Sequence, residues 1–146
     1  MNRINIVCLG VRNMEQSIRF YKDGLGFQTE ETSYNPQVIF FDAAAGLKFE
    51  LYPLDLLAKD INEDNPPTIG DGFGGITLQH VVQSKKEVDE VIELARKAGA
   101  KIVKEPHVAF WGGYTSYFLD PNGYYWEVSW NPQWKFDQNG MIITAL

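Results

Sequence analysis

Apolar and polar residues follow one another along the chain in an order that occurs twice. The stretch from Ile4 to Val11 is apolar and rich in β-branched residues, as expected of a buried strand. Apolar residues then recur at helical spacing from Met14 to Leu25, after Asn13 and Gln16, a pair typical of a helix N-terminus. Three more strands are predicted, at about Gln28 to Tyr34, Gln37 to Asp42 and Leu47 to Tyr52.

The same order begins again near residue 76. Ile76 to Val82 is predicted to be a buried strand, and Ser84 with Glu87 then forms a capping box for a helix that Gly99 ends. Three strands follow, at about Lys101 to Lys104, Thr115 to Leu119 and Tyr124 to Trp130. Asp120, Pro121, Asn122 and Gly123 favour a hairpin turn, and a bulge at Gly123 predicts that Tyr117 pairs with Glu127.

The repeated order predicts one α+β domain over residues 1–146, built from two βαβββ modules. Module one is expected at about 3–52, a linker at 53–75, module two at 76–132 and a tail at 133–146. Within the linker, a short amphipathic helix is expected near Leu54 to Ile61, before a stretch rich in proline and glycine. We expect the modules to join edge to edge into a curled mixed sheet around a cavity, with the helices outside. The tail has a strand-like segment from Met141 to Ala145.

Composition narrows the possible partners. The chain has 146 residues, 45% of them hydrophobic and 14% aromatic, which predicts a globular core. Its net charge of −6 and the lack of a basic stripe argue against nucleic acid. No apolar stretch approaches the ~20 residues of a membrane helix, and the N-terminus does not resemble a signal peptide. We therefore expect a cytoplasmic protein with no membrane partner, in which Cys8, the single cysteine, forms no internal disulfide.

Short motifs spread over Arg3 to Pro132 resemble the vicinal oxygen chelate superfamily, which includes glyoxalase I, bleomycin-resistance proteins and extradiol dioxygenases. The motifs are Leu9-Gly10-Val11, Ser17-Ile18-Arg19-Phe20-Tyr21, Leu25-Gly26-Phe27, Asp120-Pro121-Asn122-Gly123 and Trp126-Glu127-Val128. In this order and on this repeat they are specific for the fold. They do not select a reaction, because the superfamily contains enzymes of several classes and binding proteins.

The resemblance also implies where a metal would be held. It places one ligand on the first strand and one on the last strand of each module, at Ile6, Glu50, Thr77 and Glu127. The two glutamates are of the expected type, whereas Ile6 and Thr77 stand where His or Gln is expected. Because Zn²⁺ and Ni²⁺ prefer imidazole nitrogen at such a site, we expect no metal and no other cofactor. Should a divalent metal bind, Glu50 and Glu127 are its expected ligands.

Strand alternation predicts which side chains line the expected cavity. With Glu127 pointing inward, Tyr125 and Ser129 share its face, and Lys48 and Tyr52 share the face of Glu50. An ion pair of Lys48 with a glutamate is the structural alternative to a site role. Our candidate catalytic residues are Glu127, Glu50 and Tyr117. Our candidate ligand-binding residues are Tyr52, Thr77, Gln79, Trp111, Tyr114 and Tyr125.

Five residues have an interpretation other than a role in the site. Trp111 and Tyr114 flank two glycines, so this loop is interpreted either as a lid over a ligand or as a hydrophobic plug. His80 has the parity of the helix-facing side, which favours a core histidine bonded to backbone over a catalytic one. His107 is expected on a surface loop. Cys8 is interpreted as an inert apolar residue, because neither His nor Arg flanks it.

Two functions remain open at this stage. The first is an enzyme with lyase or isomerase chemistry on a small oxygenated substrate, in which Glu127 is the general base and Glu50 or Tyr117 the second acid–base group. Gln79 and Thr77 would then orient the substrate. The second is a non-catalytic protein that sequesters a cationic drug or metabolite, as bleomycin-resistance proteins do. A small molecule is the expected partner in both cases, and the resemblance implies a homodimer.

Overall fold

The structure is a computed structural model of the chain and describes residues 3–144. These residues form two compact units that divide between Phe73 and Gly74. This boundary lies inside the predicted linker 53–75. Each unit has its own mixed sheet and its own helices, which confirms the predicted α+β class. No helix within the described residues is long and apolar enough to cross a membrane.

The first unit has a three-stranded sheet. Its elements are β1 (Ile6–Val11), α1 (Met14–Ile18), a π-helical segment (Arg19–Gly24), β2 (Ile39–Asp42), a 3-10 turn (Ala44–Gly46), β3 (Lys48–Pro53) and α2 (Leu54–Ile61). The strand order is β1-β3-β2, with β1 parallel and β2 antiparallel to β3. The predicted strands at residues 4–11, 37–42 and 47–52 and the predicted helix near 54–61 are therefore confirmed within a few residues.

The first helix begins where the sequence predicts, and after Ile18 it continues as the wider π-helical segment Arg19–Gly24. The Asn13 side chain accepts a 2.9 Å hydrogen bond from the Gln16 N–H, and so satisfies a donor that the helix cannot. The predicted stripe is confirmed, since Met14, Ile18 and Tyr21 are buried. Tyr21 packs edge-on against Phe49 of β3, with ring centroids 4.8 Å apart. Aromatic rings thus form the centre of this unit's core.

The strand predicted from Gln28 to Tyr34 is wrong. In the structure this segment contributes one isolated bridge, between Gln28 and Asp42. Its polar side chains instead bond nearby backbone: the Thr29 hydroxyl donates to the Phe40 carbonyl, and Glu31 accepts from the Ser33 N–H. Such local bonds compete with a strand ladder, and strand alternation alone does not reveal them.

The second unit has a four-stranded sheet with one long helix. Its elements are β4 (Thr77–Val81), α3 (Lys85–Lys97), β5 (Lys101–Val108), β6 (Tyr114–Leu119), β7 (Tyr125–Trp130), β8 (Lys135–Phe136) and β9 (Ile142–Thr144). The order is β4-β7-β6-β5, with β4 parallel to β7 and the other pairs antiparallel. α3 packs on β5, β6 and β7 through Val88, Ile92 and Ala95.

Two local sets of hydrogen bonds form as predicted, one at the start of α3 and one in the last hairpin. The Ser84 hydroxyl accepts a 3.2 Å bond from the Glu87 N–H and caps α3. In the last hairpin the Asp120 carboxylate accepts bonds from the backbone N–H groups of Asn122 and Tyr124, and Gly123 has a φ of 88°. This turn sets the strand register that determines the site described below.

The remaining differences concern strand ends and the tail. β5 runs four residues beyond the predicted Lys104, because two bulges let it follow β6 as far as Val108. Within the tail, β8 and β9 form a short antiparallel hairpin. The predicted segment from Met141 to Ala145 is thus partly confirmed as β9, and Ala145 lies outside the described residues.

Candidate functional site

The two faces of the four-stranded sheet have different characters. Phe118, Trp126 and Val128 are buried on the face that carries α3. Strand alternation puts the polar residues of β7 on the opposite face, together with their partners on β4 and β6. Across three strands, Gln79, Glu127 and Tyr117 lie directly opposite one another. The predicted pairing of Tyr117 with Glu127 is therefore confirmed.

Glu127 is the centre of this row. Its side chain is buried, and each carboxylate oxygen accepts a hydrogen bond. The Gln79 amide donates to Oε2 at 2.6 Å, and the Thr115 hydroxyl donates to Oε1 at 2.7 Å. Both donors are neutral and come from the strands on either side of β7. The carboxylate is thus held at a fixed position on rigid elements.

The Tyr117 phenol also interacts with this carboxylate. Burial raises the pKa of Tyr117, and the negative charge of Glu127 and a hydrogen bond to it raise the pKa further. The phenol therefore stays protonated at neutral pH and acts as a donor. Thr77 and Tyr125 pair with each other one step along the same face, Thr77 exposed and Tyr125 half-buried. The structure brings four predicted residues beside Glu127: Tyr117, Gln79, Thr77 and Tyr125.

One basic residue, Lys104 of β5, belongs to the same cross-strand row as Glu127, where it lies opposite Tyr117. Within residues 3–144, no Lys, Arg or His forms an ion pair with this carboxylate. A buried carboxylate without a cation is costly unless it is well hydrogen-bonded. A carboxylate has about four acceptor positions, so capacity remains for a group from outside the chain.

Glu50 lies in the first unit and has different neighbours. It is half-buried on β3, opposite Cys8 of β1. Burial raises the pKa of Cys8 to about 12, to which the charge of Glu50 and a hydrogen bond with it also contribute. The thiol is consequently not a thiolate nucleophile at neutral pH, which agrees with its predicted inert character.

Within the described part of the chain, Lys48 does not form the ion pair with a glutamate that was the structural alternative to a site role. Lys48 instead forms an ion pair with Asp42, its partner across β2 and β3. Because these residues lie directly opposite each other, the shorter Asp42 side chain meets the ammonium group first. Glu50 is therefore not neutralised by Lys48. Tyr52 is half-buried on the same strand, two residues further on, and shares the face of Glu50.

Two aromatic residues near the start of β6 contact different partners: Trp111 in the loop before the strand and Tyr114 at its first position. Trp111 stacks on Trp134, with ring centroids 6.0 Å apart and an interplanar angle of 19°. The Tyr114 hydroxyl donates a 3.0 Å bond to Asp89 of α3, and Lys85 lies over its ring. The structure therefore places Tyr114 on the helix side of the sheet and does not bring it to Glu127.

The two histidines are found on opposite sides of the same sheet. His80 pairs with Val128 on the helix side, as parity predicts, but the residue is exposed and not part of the core. Although the residue is partly open to solvent, the protein surrounds enough of the ring for desolvation to lower the pKa of His80, and the charge of Glu87 opposes this shift. His107 was expected on a loop, and this is wrong: it lies in β5 opposite Thr115.

Sequence reasoning missed two members of the Glu127 face. Thr115 bonds the carboxylate directly, and His107 lies opposite Thr115 on the next strand. The signal for Thr115 was present, because it is two residues from Tyr117 and therefore shares its face. For His107 no such signal exists, since the bulges of β5 break the alternation from which its side could be read.

The ligand positions that the resemblance implies are Ile6, Glu50, Thr77 and Glu127. Ile6 and Thr77 occupy the positions where nitrogen ligands are expected, and both oxygens of Glu127 accept hydrogen bonds within the sheet. Among residues 3–144, no three His, Cys, Asp or Glu side chains are close enough together to hold an ion. The donor set therefore lacks the ligands that Zn²⁺ and Ni²⁺ prefer.

The fold has counterparts among known proteins. The family model for the Glyoxalase/Bleomycin resistance protein/Dioxygenase superfamily matches residues 3–128. The chain therefore belongs to this superfamily. No curated protein matches the chain.

Solved structures support the same assignment. The chain is similar to a glyoxalase-related enzyme from Fulvimarina pelagi, with 26% identity, a TM-score of 0.87 and 100% of each chain covered. It also resembles a lactoylglutathione lyase from Agrobacterium tumefaciens, at 21% identity and a TM-score of 0.69, covering 94% of this chain and 99% of that one. A glyoxalase/bleomycin resistance protein/dioxygenase family enzyme from Burkholderia phytofirmans PsJN is 22% identical, with a TM-score of 0.69 and coverage of 86% and 96%. The last two likenesses show the fold alone.

Proposed function

We propose that the chain binds a small molecule on the Glu127 face of its second unit and acts on it by acid–base chemistry of the lyase or isomerase kind. One observation carries this proposal: Glu127 is a buried carboxylate that is hydrogen-bonded by three neutral donors and forms no ion pair among the described residues. A fixed anion of this kind favours a bound cation or a proton donor. An oxygenated substrate supplies such a donor.

The proposed roles follow from the hydrogen bonds. Glu127 is the general base, because its remaining acceptor capacity is available to a substrate proton. Tyr117 remains protonated beside it and is the second acid–base group. Gln79 and Thr115 hold the carboxylate in position, and Thr77 and Tyr125 contact the substrate from the next row. None of these roles requires a metal ion.

The comparison with solved structures supports the hypothesis that the chain is an enzyme. One similar chain, at 26% identity, is a glyoxalase-related enzyme. Lyase or isomerase chemistry needs a base that takes a proton and an acid that returns one. Glu127 and Tyr117 offer that pair at one point on the sheet.

A second candidate function is the sequestration of a cationic molecule without turnover. It is favoured by the same carboxylate, since Glu127 forms no ion pair among the described residues and a cation would supply the opposite charge. The stacked pair of Trp111 and Trp134 offers an aromatic surface in the same unit. The net charge of −6 also favours the approach of a cation.

A ligand screen separates the two candidates. Wild-type protein and Glu127→Gln are compared by thermal shift against small amines, hydroxy acids and carbonyl compounds. NMR of each stabilising mixture then reports conversion. Glu90→Gln, an exposed glutamate of α3, is the matched control. Conversion that depends on Glu127 supports the enzyme, and unconverted amines that depend on Glu127 support sequestration. Stabilisation that persists in Glu127→Gln contradicts both.

A further inference from the structure

Ser129 has a polar group without a partner beside the proposed site. Its hydroxyl is the one buried side-chain oxygen or nitrogen among residues 3–144 that forms no hydrogen bond. The residue is 1% exposed. Nearly all buried polar atoms in folded proteins are hydrogen-bonded, so an unpaired one requires an explanation.

The position of Ser129 relates it directly to Glu127. The two residues are separated by one residue in the regular strand β7, so their side chains share a face. Ser129 lies opposite Thr115, whose hydroxyl donates to Glu127. The unpaired hydroxyl is therefore directed to the side of the sheet on which the carboxylate lies, next to one of the groups that position it.

His107 extends the same row on the far side of Thr115. Its Nδ1 lies 2.8 Å from the Glu105 carbonyl oxygen, so in the neutral ring Nδ1 carries the proton and Nε2 is an acceptor. Side chains that lie directly opposite on neighbouring strands are about 4.5–5.5 Å apart at Cβ. His107, Thr115 and Ser129 thus form a second row of hydrogen-bonding groups, parallel to Tyr117, Glu127 and Gln79.

We propose that Ser129 and Thr115 form a subsite for a hydroxyl group of the same molecule whose cationic group is held by Glu127. This inference rests on the second candidate function, because it takes Glu127 as the anchor of a cationic group. The two subsites together fit an amino alcohol. The Glu127 carboxylate, which forms no ion pair among the described residues, would bind the ammonium group, and the hydroxyls of Ser129 and Thr115 would bind the hydroxyl group. Neighbouring residues on one strand face are about 6.6–6.8 Å apart at Cα, which a two-carbon amino alcohol with a hydrogen bond at each end can bridge.

Two amines of nearly equal size test the hydroxyl subsite. Ethanolamine and n-propylamine have the same ammonium group and differ by a hydroxyl in place of a methyl group. Because Ser129 is almost fully buried, these small probes are preferred to larger ones. Their affinities for the full chain are measured by following backbone amide signals in NMR titrations. The wild type is expected to bind ethanolamine about 3- to 10-fold more tightly than n-propylamine.

Two serine variants then identify the group that recognises the hydroxyl. Ser129→Ala should bring the affinity ratio of the two amines to about one. Ser116→Ala is the matched control, because Ser116 is buried on the opposite face and donates to the Lys104 carbonyl. It should lower the melting temperature and leave the ratio unchanged. Without any amine, Ser129→Ala should melt at the same temperature as the wild type or above it, since it removes an unpaired buried group.

The outcomes distinguish this inference from the function on which it rests. If the wild type binds both amines equally and Glu127→Gln binds neither, Glu127 is confirmed as the anchor and the hydroxyl subsite is overturned. A preference for ethanolamine that survives Ser129→Ala would also overturn it. Binding of neither amine would overturn both the anchor and the subsite. A melting temperature that Ser129→Ala lowers as much as Ser116→Ala does would show that Ser129 has a structural partner.

Discussion

The Gln79 amide and the Glu127 carboxylate lie directly opposite each other on two parallel strands and are joined by a 2.6 Å hydrogen bond. Because β4 and β7 are far apart in sequence, this bond forms only when the second unit is folded. Thr115 holds the other oxygen of the carboxylate from β6. The central charge of the proposed site is thus fixed by three strands.

Replacing Thr115 by valine tests how strongly the fold depends on this arrangement. Valine keeps the shape of threonine but removes the donor, and leaves one oxygen of a buried carboxylate without its bond. We expect the free energy of unfolding to fall by about 2 kcal/mol, measured by denaturant titration. Thr115→Ser should recover much of the loss. Thr77→Val on the same face is exposed and should change stability by no more than about 0.5 kcal/mol.

Cys8 should make the stability depend on alkaline pH. Its pKa is raised from 9.0 to about 12 in the folded protein, so the folded state holds the proton more tightly than the unfolded state does. The stabilisation is complete below pH 9 and declines as the pH rises from 9 toward 12. The unfolding free energy of the wild type should therefore fall relative to that of Cys8→Ala as the pH rises from 8.5 to about 10.5. A difference that stays constant would contradict the raised pKa.

His80 should have the opposite effect at mildly acidic pH. Desolvation lowers its pKa, so below the ordinary value of 6.5 the unfolded state binds the proton more readily. Stability from this group is present above pH 6.5 and is lost as the pH falls. Compared with the wild type, His80→Gln should lose less stability between pH 7 and 5. An NMR titration in which the ring of His80 has a pKa at or above 6.5 would refute this expectation.

The hairpin of the second unit could be predicted from sequence in detail. The turn chemistry of Asp120 and Gly123 fixes the register, and alternation then assigns a face to each residue of two unbroken strands. This is why the pairing of Tyr117 with Glu127 is correct. The same reasoning fails in β5. Two bulges interrupt the alternation of side chains there, and His107, which was expected in a loop, lies in the sheet.

Other errors arise from interactions that a one-dimensional pattern does not contain. The segment after Gln28 has alternating residues, yet its hydroxyl and carboxylate groups bond the backbone locally and no strand forms. The structural alternative, an ion pair of Lys48 with a glutamate, is likewise not found among the described residues, because Lys48 pairs with Asp42 across the sheet. The partner of Tyr114 is Asp89 on α3, a contact that depends on how the helix packs.

The metal content of the purified protein tests the interpretation of Ile6 and Thr77. Since neither can supply a nitrogen ligand, we expect no stoichiometric zinc, nickel or iron by elemental analysis. Adding Zn²⁺ or Ni²⁺ should not raise the melting temperature, whereas a bound metal would stabilise the folded state. One transition metal per chain would contradict this prediction and would make Glu50 and Glu127 its expected ligands.

The most direct test of the central claim is the effect of Glu127→Gln on the compounds that stabilise the wild type. Calorimetry of a cationic ligand should show a loss of about 1–3 kcal/mol in binding free energy. If a compound is converted, its turnover should fall by about 10²- to 10⁴-fold with little change in affinity. Glu90→Gln should match the wild type in both measurements. Unchanged binding and unchanged turnover in Glu127→Gln would contradict the proposal that this carboxylate is the centre of the site.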